Sequence, residues 1–240
     1  MSAPAAARKR YRAVVTDIDG TLTGPDRRLD LRALTAVRAL EARGVPVVLA
    51  TGNVLPIALA LHRSLGLSGP IVAENGGLVY RRRDGSDRVE RLADRSVALD
   101  AYRALRAAGL PVRRLFTDRW RETEVALEPG IPLRRLRQVL ADRRVRVEAI
   151  GTGYATHLME VGTGKLPGLR HALAGIGLRP SDCVVLGDGD NDVGMLRASG
   201  FGVSFPSGSP LARRAARYVS AAPFAAGFVE GLKASGLLPR

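Results

Sequence analysis

Five short segments of the chain are apolar throughout, without the alternation of a half-exposed strand. They are residues 12–16, 45–50, 71–73, 182–186 and 201–204. Strands of this kind belong to a sheet that is covered on both faces. Residues 30–43, 54–65 and 192–197 have the apolar spacing of helices, and strands that alternate with helices indicate parallel βα units. The sequence therefore predicts an α/β fold with a Rossmann-like parallel-sheet core.

The middle of the chain has a different pattern. It predicts helices at 96–108 and 132–142, and strands at 112–116, 121–127, 145–150 and 155–161. The segment 121–127 alternates only partly, as in an antiparallel sheet with one open face. An α+β cap domain is therefore predicted to interrupt the core. We expect the core at residues 1–80 and 160–240 and the inserted cap at 81–159, joined by two short hinges.

The chain is strongly basic. Its formal net charge is +14 over 240 residues, and 34 of its 37 basic residues are arginines. Such a charge can mark a nucleic-acid partner. However, the arginines are scattered, and the two densest basic clusters, at 8–10 and in a predicted turn at 81–83, lack the interleaved aromatic residues of a stacking platform. We expect a solvated surface and no nucleic-acid partner, while a role toward an anionic substrate stays open.

The sequence also indicates where in the cell the protein is expected to be found. No run approaches the roughly 18 apolar residues of a membrane span, and the first residues lack the apolar region of a secretory signal. Cys183 is the only cysteine, which excludes an internal disulfide. We therefore expect a cytoplasmic protein without a membrane partner, as a monomer or homodimer.

Polar residues follow four of the predicted strands at their carboxyl ends. These loops are DIDGT at 17–21, ATGN at 50–53, ENGG at 74–77 and GDGDND at 187–192. Open α/β sheets bind ligands at this edge. Carboxylates that converge there repel one another unless a cation offsets their charge, and a hard divalent cation prefers carboxylate oxygens. We therefore predict a divalent metal site formed by Asp17, Asp19, Asp188 and Asp192.

Three other ligand-binding loops are excluded by single positions. An EF-hand in the last acidic loop needs glycine at its sixth position and glutamate at its twelfth, where the chain has Val193 and Ser199. A P-loop at 162–165 needs a glycine five residues before its Gly-Lys pair and a hydroxyl residue after it. Met159 and Leu166 occupy those positions. The first strand-to-helix turn is acidic and lacks the glycine pattern of a dinucleotide site.

Other polar residues of the loops admit two interpretations. Thr51 and Asn53 fit the start of a helix as well as a phosphate site, and Asp190 fits turn chemistry as well as catalysis. Lys165 is one of only three lysines and lies in a Gly-rich loop between a strand and a helix, which favours binding of an anion. The three histidines have no metal-ligand spacing.

Together, these loops resemble the motifs of the haloacid dehalogenase superfamily of phosphotransferases. DIDGT is similar to its first motif, Thr51 to its second, Lys165 to its third, and GDGDNDVGML at 187–196 to its fourth. The match runs in order through nearly the whole chain. The insert resembles the α+β cap of one branch of the superfamily. Within that branch, the loop at 74–76 and the small cap resemble those of the archaeal phosphoglycolate phosphatases.

The resemblance implies a Mg²⁺-dependent phosphatase for a small phosphorylated metabolite, with 2-phosphoglycolate favoured. Asp17 would be the nucleophile that forms an aspartyl-phosphate, and Asp19 the general acid and base. The implied metal ligands are Asp17, Asp188, Asp192 and the backbone carbonyl of Asp19. The implied phosphate-binding residues are Thr51, Gly52, Asn53, Lys165 and Asn191.

Alternative functions stay open at this point. The same branch includes sugar-phosphate and mannosyl-phosphoglycerate phosphatases. A phosphoryl carrier or mutase would also use Asp17. A nucleic-acid-binding protein could have the same fold without catalysis, but the intact catalytic positions argue against this last alternative. Three cap arginines are candidates to bind a second anionic group of the substrate. They are Arg113, Arg114 and Arg121.

Overall fold

The computed structural model describes residues 11–239, so the basic cluster at 8–10 lies outside the described residues. The strands are β1 Ala13–Thr16, β2 Val47–Ala50, β3 Ile71–Ala73, β4 Leu78–Arg83, β5 Ser86–Arg91, β6 Val125–Leu127, β7 Val147–Gly151, β8 Thr156–Glu160, β9 Cys183–Leu186, β10 Phe201–Ser204 and β11 Tyr218–Val219. The helices are α1 Leu31–Ala42, α2 Leu55–Leu65, α3 Arg95–Ala107, α4 Leu133–Asp142, α5 Lys165–Ala174, α6 Val193–Ala198, α7 Pro210–Ala215 and α8 Phe224–Ala234.

Eight strands form the larger sheet, in the order β11-β10-β9-β1-β2-β3-β4-β5. The strands from β11 to β3 are parallel, and β4 and β5 add an antiparallel hairpin at one edge. β1 lies between β2 and β9, with Val15 opposite both Val48 and Val185. Every residue of β1, β2, β3 and β9 is buried, as continuously apolar strands require. The predicted α/β class with a Rossmann-like parallel core is confirmed.

Helices cover both faces of this sheet. Successive side chains of a strand point to opposite faces, so Val14 packs into the layer of α1, α2 and α8, and Val15 into the layer of α5, α6 and α7. Phe205 and Phe228 are the largest fully buried side chains of the first layer, and burying each contributes about 1.5–3 kcal/mol. Among the described helices, none is both long and apolar enough to cross a membrane.

The predicted α+β cap forms around a second, smaller sheet. Its three strands are antiparallel, in the order β6-β8-β7. α3 and α4 pack against this sheet through a separate apolar core that includes Leu105, Leu136 and Leu158. The loop between β7 and β8, residues 151–154, is the part of the cap that borders the site described below.

Two local predictions are wrong. The arginines at 81–83 lie in β4 rather than in a turn, because the chain reverses one residue later, at Asp84 and Gly85, both with positive φ. The predicted strand at 112–116 is absent. Its Arg114 makes only an isolated bridge to Leu127, and the buried carboxylate of Asp118 accepts the Ala126 N–H at 2.8 Å.

The division of the chain into core and cap stays a prediction. The hairpin of β4 and β5 crosses its first boundary, at residue 80, and pairs with the larger sheet.

Candidate active site

The carboxyl ends of β1 and β9 bring three carboxylates together. The two strands are parallel neighbours that end level with each other, Thr16 opposite Leu186. Asp17 therefore follows one strand next to the loop that carries Asp188 and Asp192 after the other. One carboxylate oxygen from each of these three residues lies within 4.8 Å of the other two. The cluster joins segments that are about 170 residues apart in the chain.

Lys165 is buried inside this cluster. It is the first residue of α5, and its side chain is 1% exposed. Its Nζ donates to Asp17 Oδ1 at 2.8 Å and to Asp192 Oδ1 at 2.7 Å. Burial by itself lowers the pKa of Lys165, but the two carboxylates outweigh it and hold the pKa above its ordinary value. The ammonium group is therefore a fixed positive charge beside Asp17.

The carboxylates carry more negative charge than one lysine balances. Burial raises the pKa of Asp17 well above its ordinary value, although Lys165 opposes the shift. Burial and the charge of Asp192 raise the pKa of Asp188 to about 7. Because a divalent cation would offset this repulsion, and carboxylate oxygens are its preferred ligands, the residues present fit a bound divalent metal ion.

Local hydrogen bonds fix the geometry of the acidic loop. Asp192 Oδ2 accepts from the backbone N–H groups of Asp188 and Gly189, at 3.1 and 2.9 Å. Thr21 Oγ1 donates to Asp188 Oδ1 at 3.0 Å. Gly20 has a φ of 79°, and a Cβ at this position would lie 2.3 Å from Asp188 Oδ2. Only glycine therefore lets the first loop approach the last one so closely.

Asp19 lies beside the cluster of three carboxylates rather than inside it. Asp17 and Asp19 both border the cavity described below, whereas Ile18 between them packs into the apolar layer of α1, α2 and α8. Asp19 Oδ2 accepts from Asn53 Nδ2 at 2.6 Å, and its Oδ1 accepts from Arg27 Nε at 3.3 Å. The side chain is 24% exposed and borders the cavity, so its carboxylate can reach a ligand bound next to Asp17.

The other predicted site residues surround this centre. The Thr51 side chain is buried, and its Oγ1 accepts from the Asn53 N–H at 3.0 Å. Gly52 borders the cavity. Asn191 also borders it, and its Nδ2 donates to Asn75 Oδ1 at 2.9 Å.

A cavity of about 550 Å³ lies between the acidic loops and the cap. Asp17, Asp19, Lys165 and Asp188 form its floor on the core side. The opposite wall is the β7–β8 loop at 151–154. The cap therefore covers the carboxylates and leaves a volume suited to a small molecule.

Among the cavity-lining residues that the sequence did not single out, Arg27 and Tyr154 contact each other. Arg27 comes from the loop after the first motif, and Tyr154 from the β7–β8 loop. The Arg27 guanidinium lies over the Tyr154 ring, 4.5 Å from its centroid. The only sequence feature pointing to Tyr154 is an aromatic residue in a Gly-rich turn between strands, and nothing distinguishes Arg27 from the other arginines.

The three cap arginines proposed for a second anionic group have other partners. Arg113 pairs with Glu128 at 2.8 Å, and Arg114 lies 3.4 Å from Asp118. Arg121 is fully buried and pairs with Glu124. Among the described residues that line the cavity, none of these three arginines occurs.

The chain is similar in sequence to known proteins. The chain matches a family model described as haloacid dehalogenase-like hydrolase over residues 14–120 and 133–232. It is 37% identical to a phosphoglycolate phosphatase of Methanothermobacter thermautotrophicus, over 92% of this chain and 97% of that protein. It is 38% identical to a phosphoglycolate phosphatase of Methanopyrus kandleri, over 86% of this chain and 89% of that protein.

Solved structures share the fold. A crystal structure of a Thermoplasma acidophilum protein superposes with a TM-score of 0.85 at 24% identity, covering 95% of this chain and 99% of that one. A sugar phosphatase of subclass IIB of the haloacid dehalogenase superfamily superposes with a TM-score of 0.76 at 20% identity, covering 95% of this chain and all of that one.

Proposed function

Because the chain belongs to the haloacid dehalogenase-like hydrolases and is a phosphatase of that superfamily, we propose that it is a Mg²⁺-dependent phosphatase for a small phosphomonoester, with 2-phosphoglycolate as the preferred substrate. The family resemblance inferred from the four loops is confirmed. The observation that carries the proposal is Asp17, bonded to buried Lys165 and clustered with Asp188 and Asp192 at the floor of a small capped cavity.

Asp17 is the proposed nucleophile. Its carboxylate attacks phosphorus and forms the aspartyl-phosphate as the bond from phosphorus to the ester oxygen breaks. Lys165 holds Oδ1 of this carboxylate at 2.8 Å and so orients the attacking group. Both residues line the cavity in which the substrate is proposed to bind.

Asp19 is the proposed general acid and base. It donates a proton to the departing ester oxygen, and in the second step it takes a proton from the water that attacks the aspartyl-phosphate. Hydrolysis then releases inorganic phosphate and regenerates the carboxylate of Asp17. Asn53 holds Asp19 in place through its 2.6 Å hydrogen bond.

Asp17, Asp188, Asp192 and the backbone carbonyl of Asp19 are the proposed Mg²⁺ ligands. When bound, the ion supplies positive charge that draws the phosphoryl group toward the carboxylates and offsets the charge that develops in the transition state. The chain adds the ammonium group of Lys165. We propose that the phosphoryl oxygens are bound by Thr51, Gly52, Asn53, Lys165 and Asn191.

The cap determines which substrates fit. With residues 151–154 opposite the carboxylates, the cavity of about 550 Å³ admits a small phosphomonoester and excludes long or polymeric ones. The cap also shields the aspartyl-phosphate from bulk water. The relatives at 37% and 38% identity are named phosphoglycolate phosphatases, which favours a two-carbon acid over a hexose.

A substrate panel tests the proposal. We expect kcat/KM for 2-phosphoglycolate to exceed the values for glucose 6-phosphate and mannosyl-phosphoglycerate, with all activity lost on chelation of Mg²⁺. A lower value than for either competitor would overturn the phosphoglycolate assignment but not the phosphatase. If no phosphate is released from any of these or from an aryl phosphate with Mg²⁺ present, the phosphatase assignment itself is wrong.

A further inference from the structure

Arg27 is held at the mouth of the cavity by its own loop. Thr23 and Leu29 form an antiparallel bridge, and within the loop the Gly24 N–H donates to the Arg28 carbonyl oxygen at 3.0 Å. Arg27 has a φ of 63°, which is uncommon for a residue other than glycine. The loop is therefore closed on itself and presents one arginine to the cavity in a defined conformation.

The guanidinium of Arg27 touches both sides of the cavity. Its Nε and Nη2 each lie 3.3 Å from Asp19 Oδ1 on the core side. Its plane lies over the ring of Tyr154 on the cap side, at 4.5 Å from the centroid. An arginine has five N–H donors in a planar fork. The contact with Asp19 occupies one edge of the fork, and the other edge remains for a ligand.

Of the positively charged side chains that line the cavity, Arg27 is the one available to bind a second anionic group of the substrate. Among the described lining residues, the cationic side chains are Lys165 and Arg27. Lys165 is already bonded to two carboxylates at the floor, where the phosphoryl group is proposed to bind. Arg27 is 55% exposed, and its ion pair with Asp19 is of the weak, solvent-screened kind. The contact with Asp19 therefore loosens at little cost when the free edge of the guanidinium binds a ligand.

We propose that Arg27, backed by Tyr154, binds the carboxylate of the substrate and so makes the enzyme specific for phosphorylated short-chain acids. This inference rests on the proposed phosphatase function. The ester oxygen that receives a proton from Asp19 must lie next to that side chain, and in a phosphorylated 2-hydroxy acid the carboxylate carbon is two bonds farther on. The cationic group in contact with Asp19 is the guanidinium of Arg27. A guanidinium matches a carboxylate in a planar, bidentate geometry.

The proposal assigns a role to the cap as well. Tyr154 supplies a flat surface that holds the guanidinium over the cavity, and its phenol stays neutral because burial raises its pKa to about 12. Arg121 is not among the described residues that line the cavity, and its Nη1 donates to Glu124 and to the Gly52 carbonyl oxygen.

The test compares two substrates of equal length. The first is 2-phosphoglycolate, and the second is 2-hydroxyethyl phosphate, in which a neutral alcohol replaces the carboxylate. For Arg27→Gln we expect the ratio of their kcat/KM values to fall about 10- to 100-fold, the effect of losing a hydrogen bond to a charged group. Arg27→Lys should retain part of the ratio. The matched control is Arg28→Gln, because the Arg28 side chain is 88% exposed, pairs with Asp26 and is not among the described residues that line the cavity.

The outcomes separate this inference from the proposed function. An equal loss on both substrates would mean that Arg27 acts only through Asp19, and it would overturn the inference, as would an unchanged ratio or a wild-type ratio near one. Dissociation constants of both compounds on an Asp17→Asn background give the same ratio without turnover. If the wild type hydrolyses neither compound and Arg27→Gln still weakens only 2-phosphoglycolate, the function fails and the carboxylate site stands.

Discussion

Replacing Lys165 with methionine should destabilise the protein far more without metal than with it. The substitution keeps the length and apolar stem of the side chain and removes one buried positive charge. The Nζ atom lies 2.7 and 2.8 Å from two carboxylates and is almost completely buried. Without it, Asp17 and Asp192 face each other and Asp188 with no cation from the chain among them.

The magnitude follows from the burial of the pair. Removing one partner of a buried ion pair costs about 3–5 kcal/mol, because the remaining charge is left without compensation. For a chain of this size, 1 kcal/mol corresponds to about 2–4 °C in Tm, so the metal-free variant should melt about 6–20 °C lower. Saturating Mg²⁺ stabilises wild type and variant alike, but the variant has lost the ammonium group that repels the ion, so it should bind Mg²⁺ more tightly, and each tenfold decrease in its Kd would return about 1.4 kcal/mol. The loss should therefore shrink markedly when the ion is added.

The measurement is thermal or urea unfolding of wild type and variant in chelator and in saturating Mg²⁺. Lys233→Met is the matched control, because Lys233 lies exposed at the end of α8, and it should change stability by less than about 0.5 kcal/mol. A loss below about 1 kcal/mol in chelator would contradict the predicted cost of an unpaired buried charge. If the loss of stability has the same size with and without Mg²⁺, then Lys165 and the ion do not offset the charge of the same carboxylates.

Three further outcomes follow from the same cluster. Asp17→Asn should lower kcat by more than about 10³-fold because an amide is a poor nucleophile, and residual activity within about tenfold of wild type would refute the nucleophile assignment. Asp188→Ala should raise the Mg²⁺ concentration needed for half-maximal activity, and an unchanged metal titration would mean that Asp188 is structural. Ca²⁺ should inhibit the enzyme because it takes larger, looser coordination than Mg²⁺. In chelator, the free energy of unfolding should fall from pH 5 to pH 8. The pKa of Asp188 is raised to about 7 and that of Asp17 is raised as well, so the folded state binds more protons in this range than the unfolded state. Urea titrations with and without Mg²⁺ check this, and a flat profile in chelator would count against it.

The parallel core could be predicted from the sequence because its strands are buried on both faces. β1, β2, β3, β9 and β10 coincide with apolar runs, and their ends differ from the predictions by two residues or fewer. The β4–β5 hairpin has no such pattern, because β5 is largely exposed and both strands carry arginines. Its available indication was Asp84-Gly85, a dipeptide typical of tight hairpin turns. β11 has only two residues and is defined by its pairing with β10 alone.

The candidate site also contains some residues that the sequence predicts and others that it does not. Asp17, Asp19, Asp188 and Asp192 were predicted from the chemistry of strand ends, since the parallel sheet dictates that those loops meet. The contact between Arg27 and Tyr154 depends on how the cap lies over the core, and these residues are more than 120 positions apart. No local periodicity encodes such an approach. The same holds for the buried hydrogen bond that Asn75 Nδ2 donates to Glu124 Oε2 of the cap, at 3.1 Å.

Two contacts between cap and core flank the cavity, and they differ in strength. On one side, the buried Glu74 carboxylate accepts from the backbone N–H groups of Glu122 and Thr123 and from Thr123 Oγ1, at 2.7–3.0 Å. Breaking these bonds would leave buried polar groups unpaired, at about 1–3 kcal/mol each. On the other side, Arg27 rests on Tyr154 at a partly exposed contact, worth about 0.5–1 kcal/mol. The contact between Arg27 and Tyr154 is therefore the weaker of the two, and it is the one whose residues both line the cavity.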